Sequence, residues 1–563
     1  MGKVLIAFDT NHIHTYVFGT DTLKEIRGAS SLLARLNLDV MKDQADRPEI
    51  HADLIFTNGG AGLFRVDSNE QAETFGKRVQ GEYRKVTGGG SSITCAIQPL
   101  PKDAPDDLKE LMNFKMPDIF ALMRYRLREQ KDCPPDIIAH PTHPFIYLCD
   151  SCGVEYAGKV AQDEDLLLCE SCKNKREEDW RVKNSLDDYL RFPSDTALFH
   201  AKSPLWSDVI EHLQHLKYEF PKGVDRPQDF NMFSDFTGVR DYIALIYADG
   251  NNMGWHIEQL KTLEEMKTFA IEVDSAVKKA VSIAIDRHLP VVTATRTGIP
   301  LFPFDILLLG GDDIVMVTSA SVALDVAQTI ADQFHECTEG KYTLSVGVVL
   351  TPIKYPFGLS QTLSQSTLQF AKTEGAKRKP VAVDKDRVGV SMINFMTVLG
   401  NVGRDFKDVY ALLKSQENKN DRSKPNFYAT LRPYDTRQLE VLLKGIRGGH
   451  RRNLGRTKLH QLREAILEMN LTTSLSDARA LLRNWKENQR DFVIDCLYEF
   501  ANLYQQQRFN ADDPSSLSYE RPFPWFGDGK DDHERKSYRT PLLDFVELYD
   551  FVTEEEANGG DQD

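Results

Sequence analysis

Two adjacent aspartates lie at the bend of a hairpin-like segment, and they are the side chains in this sequence best suited to chemistry. The motif GGDD (residues 310–313) separates two mostly apolar runs, residues 304–309 and 314–317. Neighbouring carboxylates in an apolar setting are costly unless a cation neutralises them, and glycines at the bend let a triphosphate approach the backbone. The pattern favours a metal-dependent nucleotide site, although Gly and Asp also favour plain polar turns.

A third carboxylate, Asp249, ends the apolar segment DYIALIYAD (residues 241–249). In a βαββαβ sheet the first strand neighbours the central hairpin, so we expect Asp249 to meet Asp312 and Asp313. Carboxylate oxygens suit Mg²⁺ or Mn²⁺, and two such ions would activate an attacking hydroxyl and stabilise a leaving pyrophosphate. These aspartates are therefore the predicted catalytic and metal-binding residues of a nucleotidyl-transfer site. The neighbours predicted to contact the nucleotide are Gly250, Asn251, Asn252, Gly310 and Gly311.

Two further features are predicted to bind nucleotide. Lys377 follows the last helical stretch of this region and is the cation expected to reach triphosphate oxygens. Near the N-terminus a second glycine turn, NGGAG (residues 58–62), lacks acidic residues when Gly59 and Gly60 are aligned with the glycines of GGDD. This half is therefore predicted to be non-catalytic. Its turn either holds a nucleotide or serves as a structural partner, and the sequence leaves both readings open.

The order strand, helix, hairpin, helix, strand occurs twice along the chain. Chance similarity is the alternative, since βαββαβ is common, but a glycine turn lies at the middle of both hairpins. We expect an α+β fold with two ferredoxin-like (βαββαβ) palm domains. The predicted elements are residues 3–9, 23–36, 52–67, 70–86 and 92–97 in the first copy, and 241–250, 257–288, 304–319, 322–337 and 342–350 in the second.

Four of the eight cysteines form two CxxC pairs separated by sixteen residues. This spacing is typical of a zinc ribbon in which each pair directs two thiolates at one Zn²⁺ ion. A closed four-thiolate site leaves no open coordination position, so its predicted role is structural. The predicted zinc ligands are Cys149, Cys152, Cys169 and Cys172.

The composition restricts where the protein acts and what it binds. The 563 residues carry a net charge of −15, which opposes general binding to nucleic-acid backbones. A basic segment at residues 446–463 is either a local contact for RNA or a partner, or a solvated surface. Apolar runs are far shorter than the ~18 residues of a membrane span, and no secretory signal is evident, so a cytoplasmic protein without a membrane partner is expected.

The domain organisation follows from these patterns. After about residue 390 the strand signals fade and amphipathic helical segments dominate, which predicts an all-helical C-terminal domain. The predicted units are a first, degenerate palm (1–145), the zinc ribbon with a helical linker (146–235), a second palm with GGDD (236–390), the helical C-terminal domain (391–553) and an acidic tail (554–563).

Together these segments resemble the large polymerase/cyclase subunit of type III CRISPR effector complexes. The resemblance rests on DTNHIHTYVFGTDTLKEIRGASSLL (9–33), the CDSC and CESC pairs, ADGNNMG (248–254) and LLLGGDDIVMV (307–317), with SVGVVL and FAKTEGAKRK further along. It follows nearly the whole chain in order, whereas GGDD alone would equally resemble GGDEF-type diguanylate cyclases.

The resemblance implies an enzyme that makes cyclic oligoadenylates from ATP in antiviral defence. By analogy Asp249, Asp312 and Asp313 bind metal, and the degenerate palm holds an acceptor ATP whose 3′ hydroxyl attacks the donor ATP. The implied partners are ATP, guide RNA and target RNA within a complex, and other CRISPR effector subunits. The alternatives are a non-catalytic nucleotide-binding scaffold and a stand-alone synthase of another cyclic nucleotide.

Two departures from the family pattern change these expectations. Many members carry an N-terminal HD nuclease, whereas this sequence begins at the first palm, so DNA cleavage is not expected. Members also often read DGD where this sequence has Asp249, Gly250 and Asn251, which removes one carboxylate.

Overall fold

The computed structural model describes most of the chain. The described residues are 3–132, 146–160, 165–191, 204–235, 241–294, 298–377, 390–400, 405–414, 425–509, 522–530 and 536–552. None of the helices in these ranges combines the length and the apolar character that crossing a lipid bilayer requires. The acidic tail expected at residues 554–563 lies outside the described residues.

The N-terminal unit is a four-stranded antiparallel sheet of order β2-β3-β1-β4, covered by helices. Helix α4 illustrates why its helices form: Ser68 caps the first turn by accepting from the backbone N–H of Gln71, and Ala72, Phe75 and Val79 line the buried face. Its elements are β1 Val4–Asn11, α1 Ile13–Val17, α2 Leu23–Arg35, a π-helical turn Leu36–Val40, α3 Met41–Ala45, β2 Asp53–Asn58, β3 Ala61–Val66, α4 Asn69–Val86, β4 Ser92–Pro99, α5 Leu108–Met112 and α6 Pro117–Asp132.

The connecting segment carries the cysteine pairs and then packs against the first unit. A Cβ atom on Gly28 of α2 would lie 1.7 Å from the carbonyl oxygen of Lys175, so only glycine permits this close helix contact. The elements of this segment are β5 Lys159–Val160, β6 Leu167–Leu168, α7 Glu170–Arg191, α8 Pro204–His215 and a 3₁₀ turn Phe230–Asp235.

The second unit is built on a six-stranded sheet of order β10-β11-β7-β12-β13-β15. Thr262 and Glu265 form a reciprocal capping box at the start of its longest helix, α10. Its elements are β7 Tyr242–Gly250, α9 Met253–Gln259, α10 Leu263–His288, β8 Val292–Thr293, β9 Pro300–Leu301, β10 Phe304–Gly310, β11 Asp313–Ser319, α11 Ala323–Cys337, β12 Leu344–Pro352, α12 Phe357–Lys377 and β13 Met392–Thr397.

Strand β7 is apolar at consecutive positions because both faces of the second sheet are covered. On one face Ala244, Ile246 and Ala248 belong to a core with helices α10 and α11. On the other face Leu245 and Tyr247 belong to a core shared with the N-terminal unit. The two units are therefore joined by a continuous apolar core.

The two hairpins share an irregularity as well as their strand order. In each sheet the first four strands follow the spatial order second, third, first, fourth. The pairing shifts between Leu54 and Phe56 in one hairpin and between Ile306 and Leu308 in the other. The skipped residues, Ile55 and Leu307, lie the same distance before their turns, which supports the predicted internal repeat.

The C-terminal region is not all-helical, and this prediction was wrong. Strand β13 pairs in parallel with β12, so the second sheet continues beyond the expected boundary at residue 390. A separate sheet has the order β14-β17-β16. These strands are short and lack sustained alternation, so the stronger helical periodicity masked them. The elements are α13 Phe406–Leu412, β14 Asn426–Tyr428, β15 Tyr434–Asp435, α14 Thr436–Arg451, α15 Arg456–Leu467, α16 Leu471–Arg483, α17 Glu487–Phe509, β16 Phe526–Lys530, β17 Lys536–Arg539 and α18 Leu542–Leu548.

Candidate active site

The sheet pairing brings the three predicted aspartates to one end of the second sheet. Asp249 lies one residue beyond the β7–β11 pair Ala248↔Ile314, and it pairs with Ser345 of β12. Gly310 pairs with Asp313, so Gly311 and Asp312 form the two-residue turn between β10 and β11. Gly311 has a φ of +61°, a left-handed conformation that glycine adopts without strain.

Burial and mutual repulsion perturb these carboxyl groups. Burial, followed by the charge of Asp249, raises the pKa of Asp312 to about 7. The same causes raise the pKa of Asp313 well above its usual range. Burial and the three nearby carboxylates also raise the pKa of the Tyr247 hydroxyl. Paired acids that cannot all ionise are typical of functional sites and of sites that take up cations.

The three carboxylates repel one another, but their oxygen atoms do not all lie close enough together to coordinate one ion. Among the described residues, the four cysteines are the only group of three or more His, Cys, Asp or Glu residues whose ligand atoms all lie within 4.8 Å of one another. The aspartate oxygens are therefore close enough to repel one another, yet side-chain rotation is needed before they share one ion. The donor set, three carboxylates in a largely buried setting, fits a hard divalent cation.

Lys372 of helix α12 enters this site, and the sequence analysis did not select it. Its Nζ lies 2.5 Å from Oδ2 of Asp249 and donates to the carbonyl oxygen of Gly250 at 2.8 Å. The predicted cation, Lys377, is exposed and pairs with Glu374 at 2.6 Å. A signal for Lys372 exists in the sequence, since it stands four residues after the buried Leu368 on the apolar stripe of α12.

The residues after Asp249 shape the loop beside the turn. A Cβ atom on Gly250 would lie 2.4 Å from Cε of Met253 and 2.9 Å from Oδ2 of Asp312, so a side chain there would have to displace the Met253 side chain and the Asp312 carboxylate. Asn251 is buried, and its backbone N–H and Nδ2 donate to the carbonyl and hydroxyl oxygens of Thr343 at 2.8 and 2.9 Å. Asn252 adopts a φ of +55° directly before α9. Contact of these residues with a nucleotide stays a prediction.

The N-terminal unit contributes a histidine that sequence reasoning missed. His14 of α1 lies with Nε2 3.0 Å from the hydroxyl oxygen of Tyr247 and 4.0 Å from Oδ2 of Asp313. Burial lowers the pKa of His14, and the charge of Asp249 partly opposes this effect. No periodicity marks His14 in the sequence, because its position depends on how the two units pack.

The two glycine turns meet at the boundary between the units. A Cβ atom on Gly59 would lie 3.1 Å from Cα of Gly311. Beside this contact a cavity of about 70 Å³ is lined by Gly59 and Gly60 of the first turn, by Gly310 and Asp313 on either side of the second turn, and by Asp274 and Lys278. The first turn is therefore adjacent to the predicted site, as a structural partner requires. Nucleotide binding by Gly59 and Gly60 stays a prediction.

The pairing corrects the alignment of the two turns by one residue. Matching the glycines of the two motifs ignored where the strands pair. No acidic residue occupies the first turn in either alignment, and Asp9 pairs with Lys131 at 2.6 Å. The equivalent positions are Asn58 with Gly310, Gly59 with Gly311, Gly60 with Asp312 and Ala61 with Asp313.

The four cysteines converge as the spacing predicts. The Sγ atoms of Cys152 and Cys169 lie 3.9 Å apart, and Cys169 Sγ accepts from the backbone N–H of Cys172 at 3.3 Å. Thiolates about 2.3 Å from a central Zn²⁺ would have this separation. Cys149, Cys152, Cys169 and Cys172 therefore fit a structural zinc ion.

Two cations of the basic segment 446–463 form ion pairs with acidic residues elsewhere in the chain. Arg447 pairs with Asp325 at 2.7 Å and Arg456 with Asp550 at 2.7 Å. Arg447 thus joins α14 to α11 of the second unit, and a contact of the remaining basic residues with RNA or a partner stays a prediction.

Comparison with known proteins identifies the second unit. Residues 242–381 match the family model described as Cas10/Cmr2, second palm domain. The chain thus contains a Cas10-like palm that carries the three aspartates and Lys372, and the predicted resemblance is confirmed. No curated protein sequence matches the chain.

Solved structures show more distant similarity. A Csm1–Csm4 cassette in complex with one ATP is 13% identical, with 88% of this chain and 65% of that chain covered at a TM-score of 0.47. A cassette in complex with cA3 is 13% identical, with 66% and 53% covered at a TM-score of 0.43. The cassette with cA4 is 12% identical, with 66% and 53% covered at 0.42. The chain thus spans about half the length of the cA3 and cA4 relatives.

Proposed function

We propose that this chain is a metal-dependent nucleotidyltransferase of the palm polymerase/cyclase type, making cyclic oligoadenylates from ATP within an RNA-guided type III CRISPR antiviral complex. One observation carries the proposal: Asp249, Asp312 and Asp313 gather beside a glycine turn in a Cas10-like palm, where burial and repulsion raise the pKa of Asp312 to about 7. Carboxyl groups that retain protons because burial and a neighbouring carboxylate disfavour their ionised form are suited to bind a divalent cation.

The proposed reaction joins two ATP molecules. The 3′ hydroxyl of the acceptor loses its proton and attacks the α-phosphorus of the donor, forming an O3′–P bond. The bond between the α-phosphorus and the bridging oxygen breaks, and pyrophosphate leaves. Mg²⁺ or Mn²⁺ held by the three aspartates would supply charge stabilisation for both oxygens. Repetition and a final intramolecular attack close the ring.

The neighbouring residues have proposed roles in binding. Gly310 and Gly311 leave room for the donor triphosphate, and Lys372 or Lys377 supplies a cation to it. The ordered backbone at Gly250, Asn251 and Asn252 borders the nucleotide, and the turn at Gly59 and Gly60 borders the acceptor. The four-cysteine cluster holds zinc for structure only.

The proposed partners follow from the charge of the chain. With a net charge of −15, the protein repels RNA backbones. Guide and target RNA are therefore expected to be held mainly by other effector subunits, and target pairing would switch the cyclase on.

Turnover of labelled ATP tests the proposal. The protein, alone and assembled with its complex subunits, guide RNA and target RNA, is incubated with α-labelled ATP and Mg²⁺ or Mn²⁺. We expect cyclic oligoadenylates and pyrophosphate, and their loss in Asp312→Ala/Asp313→Ala. Absence of product in every assembly, or an unchanged product pattern in the double variant, would overturn the proposal. Offering each nucleoside triphosphate separately would identify a synthase of another cyclic nucleotide.

A non-catalytic scaffold is the second candidate, and one contact favours it. The ammonium of Lys372 already occupies a position 2.5 Å from Asp249, where it can replace part of a metal ion's charge. A scaffold predicts ATP binding without turnover even in the complete complex. It also predicts that ATP affinity does not depend on divalent cations.

A further inference from the structure

Helix α10 contacts both glycine turns with residues one helical turn apart. The carbonyl oxygen of Ala270 accepts from Nδ2 of Asn58 at 2.7 Å, beside the first turn. Oδ1 of Asp274 accepts from the backbone N–H of Gly311 at 3.2 Å, in the second turn. Residues four apart share one face of a helix, so a single face of α10 binds the tips of both hairpins.

The backbones of the two turns are in direct contact. Gly59 and Gly311 both have positive φ angles, +53° and +61°, and a Cβ on Gly59 would lie 3.1 Å from Cα of Gly311. No side chain separates these glycines, so a shift of one turn is transmitted to the other. Asp312 follows directly in the second turn, and its carboxylate is repelled by Asp249. A turn under such repulsion needs an anchor.

Asp274 has the surroundings of an anchor and not of a metal ligand. Its Oδ2 lies 2.7 Å from Nζ of Lys278, and the same ammonium lies 2.5 Å from Oδ2 of Asp208. The Lys278 side chain is only 12% exposed, so its ammonium is held beside these two carboxylates. The charge of Asp274 is therefore partly compensated by an ammonium that it shares with Asp208, and its other oxygen, Oδ1, accepts from the Gly311 amide.

We infer that Asp274 is a positioning residue that fixes the GGDD turn, and that Asn58 ties the turn of the N-terminal unit to the same helix. Asp274 acts through the Gly311 amide on the placement of Asp312 and Asp313. A change at Asn58, in the other unit, is expected to alter cation binding at the aspartates. The anchoring itself is inferred from these contacts alone. That the anchored carboxylates bind a catalytic metal ion rests on the proposed function.

Hydrogen exchange of the Gly311 amide tests the anchoring without metal or nucleotide. In the full-length, zinc-loaded protein, Asp274→Ala removes the acceptor and should speed exchange about tenfold, the effect of losing one such hydrogen bond. Asp274→Asn keeps an amide oxygen and should stay within about twofold of wild type. Glu272→Gln is the matched control, because Glu272 lies on the same helix but its carboxylate pairs with Nζ of Lys341, at a distance of 2.6 Å, and not with the turn.

Binding of Mn²⁺, followed by its electron paramagnetic resonance signal, measures the consequence. Asp274→Ala and Asn58→Ala should each weaken Mn²⁺ binding about tenfold or more, as loss of groups that orient ligands does, while Asp274→Asn and Glu272→Gln should not. If Asp274→Ala does not fold, equal exchange and Mn²⁺ affinity in Asn58→Ala and wild type would overturn the inference. So would unchanged Gly311 exchange in a folded Asp274→Ala. Absence of ATP turnover with the exchange difference intact would instead count against the proposed function alone.

Discussion

Lys372 and Asp249 form the ion pair at the centre of the candidate site, with Nζ 2.5 Å from Oδ2. The ammonium is also held by the carbonyl oxygen of Gly250. The three carboxylates outnumber this one cation, so Lys372 offsets only part of their charge when all are ionised. Lys372 therefore supplies part of the charge of a metal ion and competes with a metal ion for the carboxylates.

The first prediction concerns this competition. Lys372→Met should bind Mn²⁺ about threefold or more tightly than wild type, because removal of a nearby positive charge favours a second cation. ATP turnover should fall, since the triphosphate loses a cation. Lys377→Met is the matched control on the same helix, and its exposed ion pair with Glu374 should leave Mn²⁺ affinity unchanged. Equal responses of the two variants, measured by Mn²⁺ titration, would show that Lys372 has no special role.

The second prediction concerns stability without metal. Asp312→Asn removes a repelled, half-buried carboxylate, so the free energy of unfolding of the zinc-loaded protein without added Mg²⁺ or Mn²⁺ should rise by about 1–2 kcal/mol after allowance for solvent screening. When Mn²⁺ is added, the midpoint temperature of unfolding should rise less in Asp312→Asn than in wild type. Asp9→Asn is the control in the first unit, at the position equivalent to Asp249, where the carboxylate has a lysine partner 2.6 Å away. Urea unfolding of the zinc-loaded proteins without added Mg²⁺ or Mn²⁺ measures both, and a loss of stability in Asp312→Asn would contradict the repulsion.

The third prediction is that the stability gained in Asp312→Asn depends on pH. The folded-state pKa of Asp312, about 7, lies above its unfolded value, so between these values the folded state holds the proton that the unfolded state has lost. The metal-free wild type should therefore lose stability as pH rises from about 4 to 7. The difference between Asp312→Asn and wild type should widen over the same range. A constant difference in urea unfolding at about pH 5 and pH 8 would exclude the raised pKa.

How far the sequence predicts this molecule depends on whether a feature is local. The aspartates, the glycine turns and the cysteine pairs carry local signals, and strand pairing within the second sheet brings the three aspartates together. The position of His14 depends on packing between units, which leaves no periodic signal. The alignment of Gly59 was wrong by one residue because register depends on cross-strand pairing. The strands after residue 390 were missed because short segments such as β14 derive their stability from neighbours remote in the chain.

The fourth prediction tests the contact between the two turns. Gly59→Ala introduces a Cβ 3.1 Å from Cα of Gly311 at a φ of +53°, so both backbone strain and a clash arise. Gly89→Ala, at a φ of +83° with nothing within 4 Å, introduces strain alone. Each should lose about 1 kcal/mol of stability from strain, but only Gly59→Ala should also weaken Mn²⁺ binding. Equal Mn²⁺ affinities in the two variants would mean that the turns do not influence each other.

The fifth prediction links the cysteine cluster to the second sheet. Helix α7 begins beside Cys169, and its Asp179 accepts from Nε of Arg27 at 2.9 Å, while Nη1 of Arg27 donates to Asp305 of β10 at 2.9 Å. All three charged groups are nearly buried, and Arg226 lies 3.6 Å from Asp179 as a second buried cation, so displacement of α7 disturbs the charge balance of the whole cluster. Cys169→Ser should therefore lose its zinc and lower the midpoint temperature of unfolding by about 5 °C or more.

Metal analysis and thermal unfolding of matched variants measure this link. Cys95→Ser is the control, since Cys95 lies on β4 away from the cluster and should keep the full zinc content. If the path through Arg27 operates, Arg27→Met in the zinc-loaded protein should reproduce the loss of stability without loss of zinc. An unchanged zinc content in Cys169→Ser would exclude the four-thiolate site. A stable Arg27→Met variant would show that zinc does not act on β10 through Arg27, which contacts both α7 and that strand.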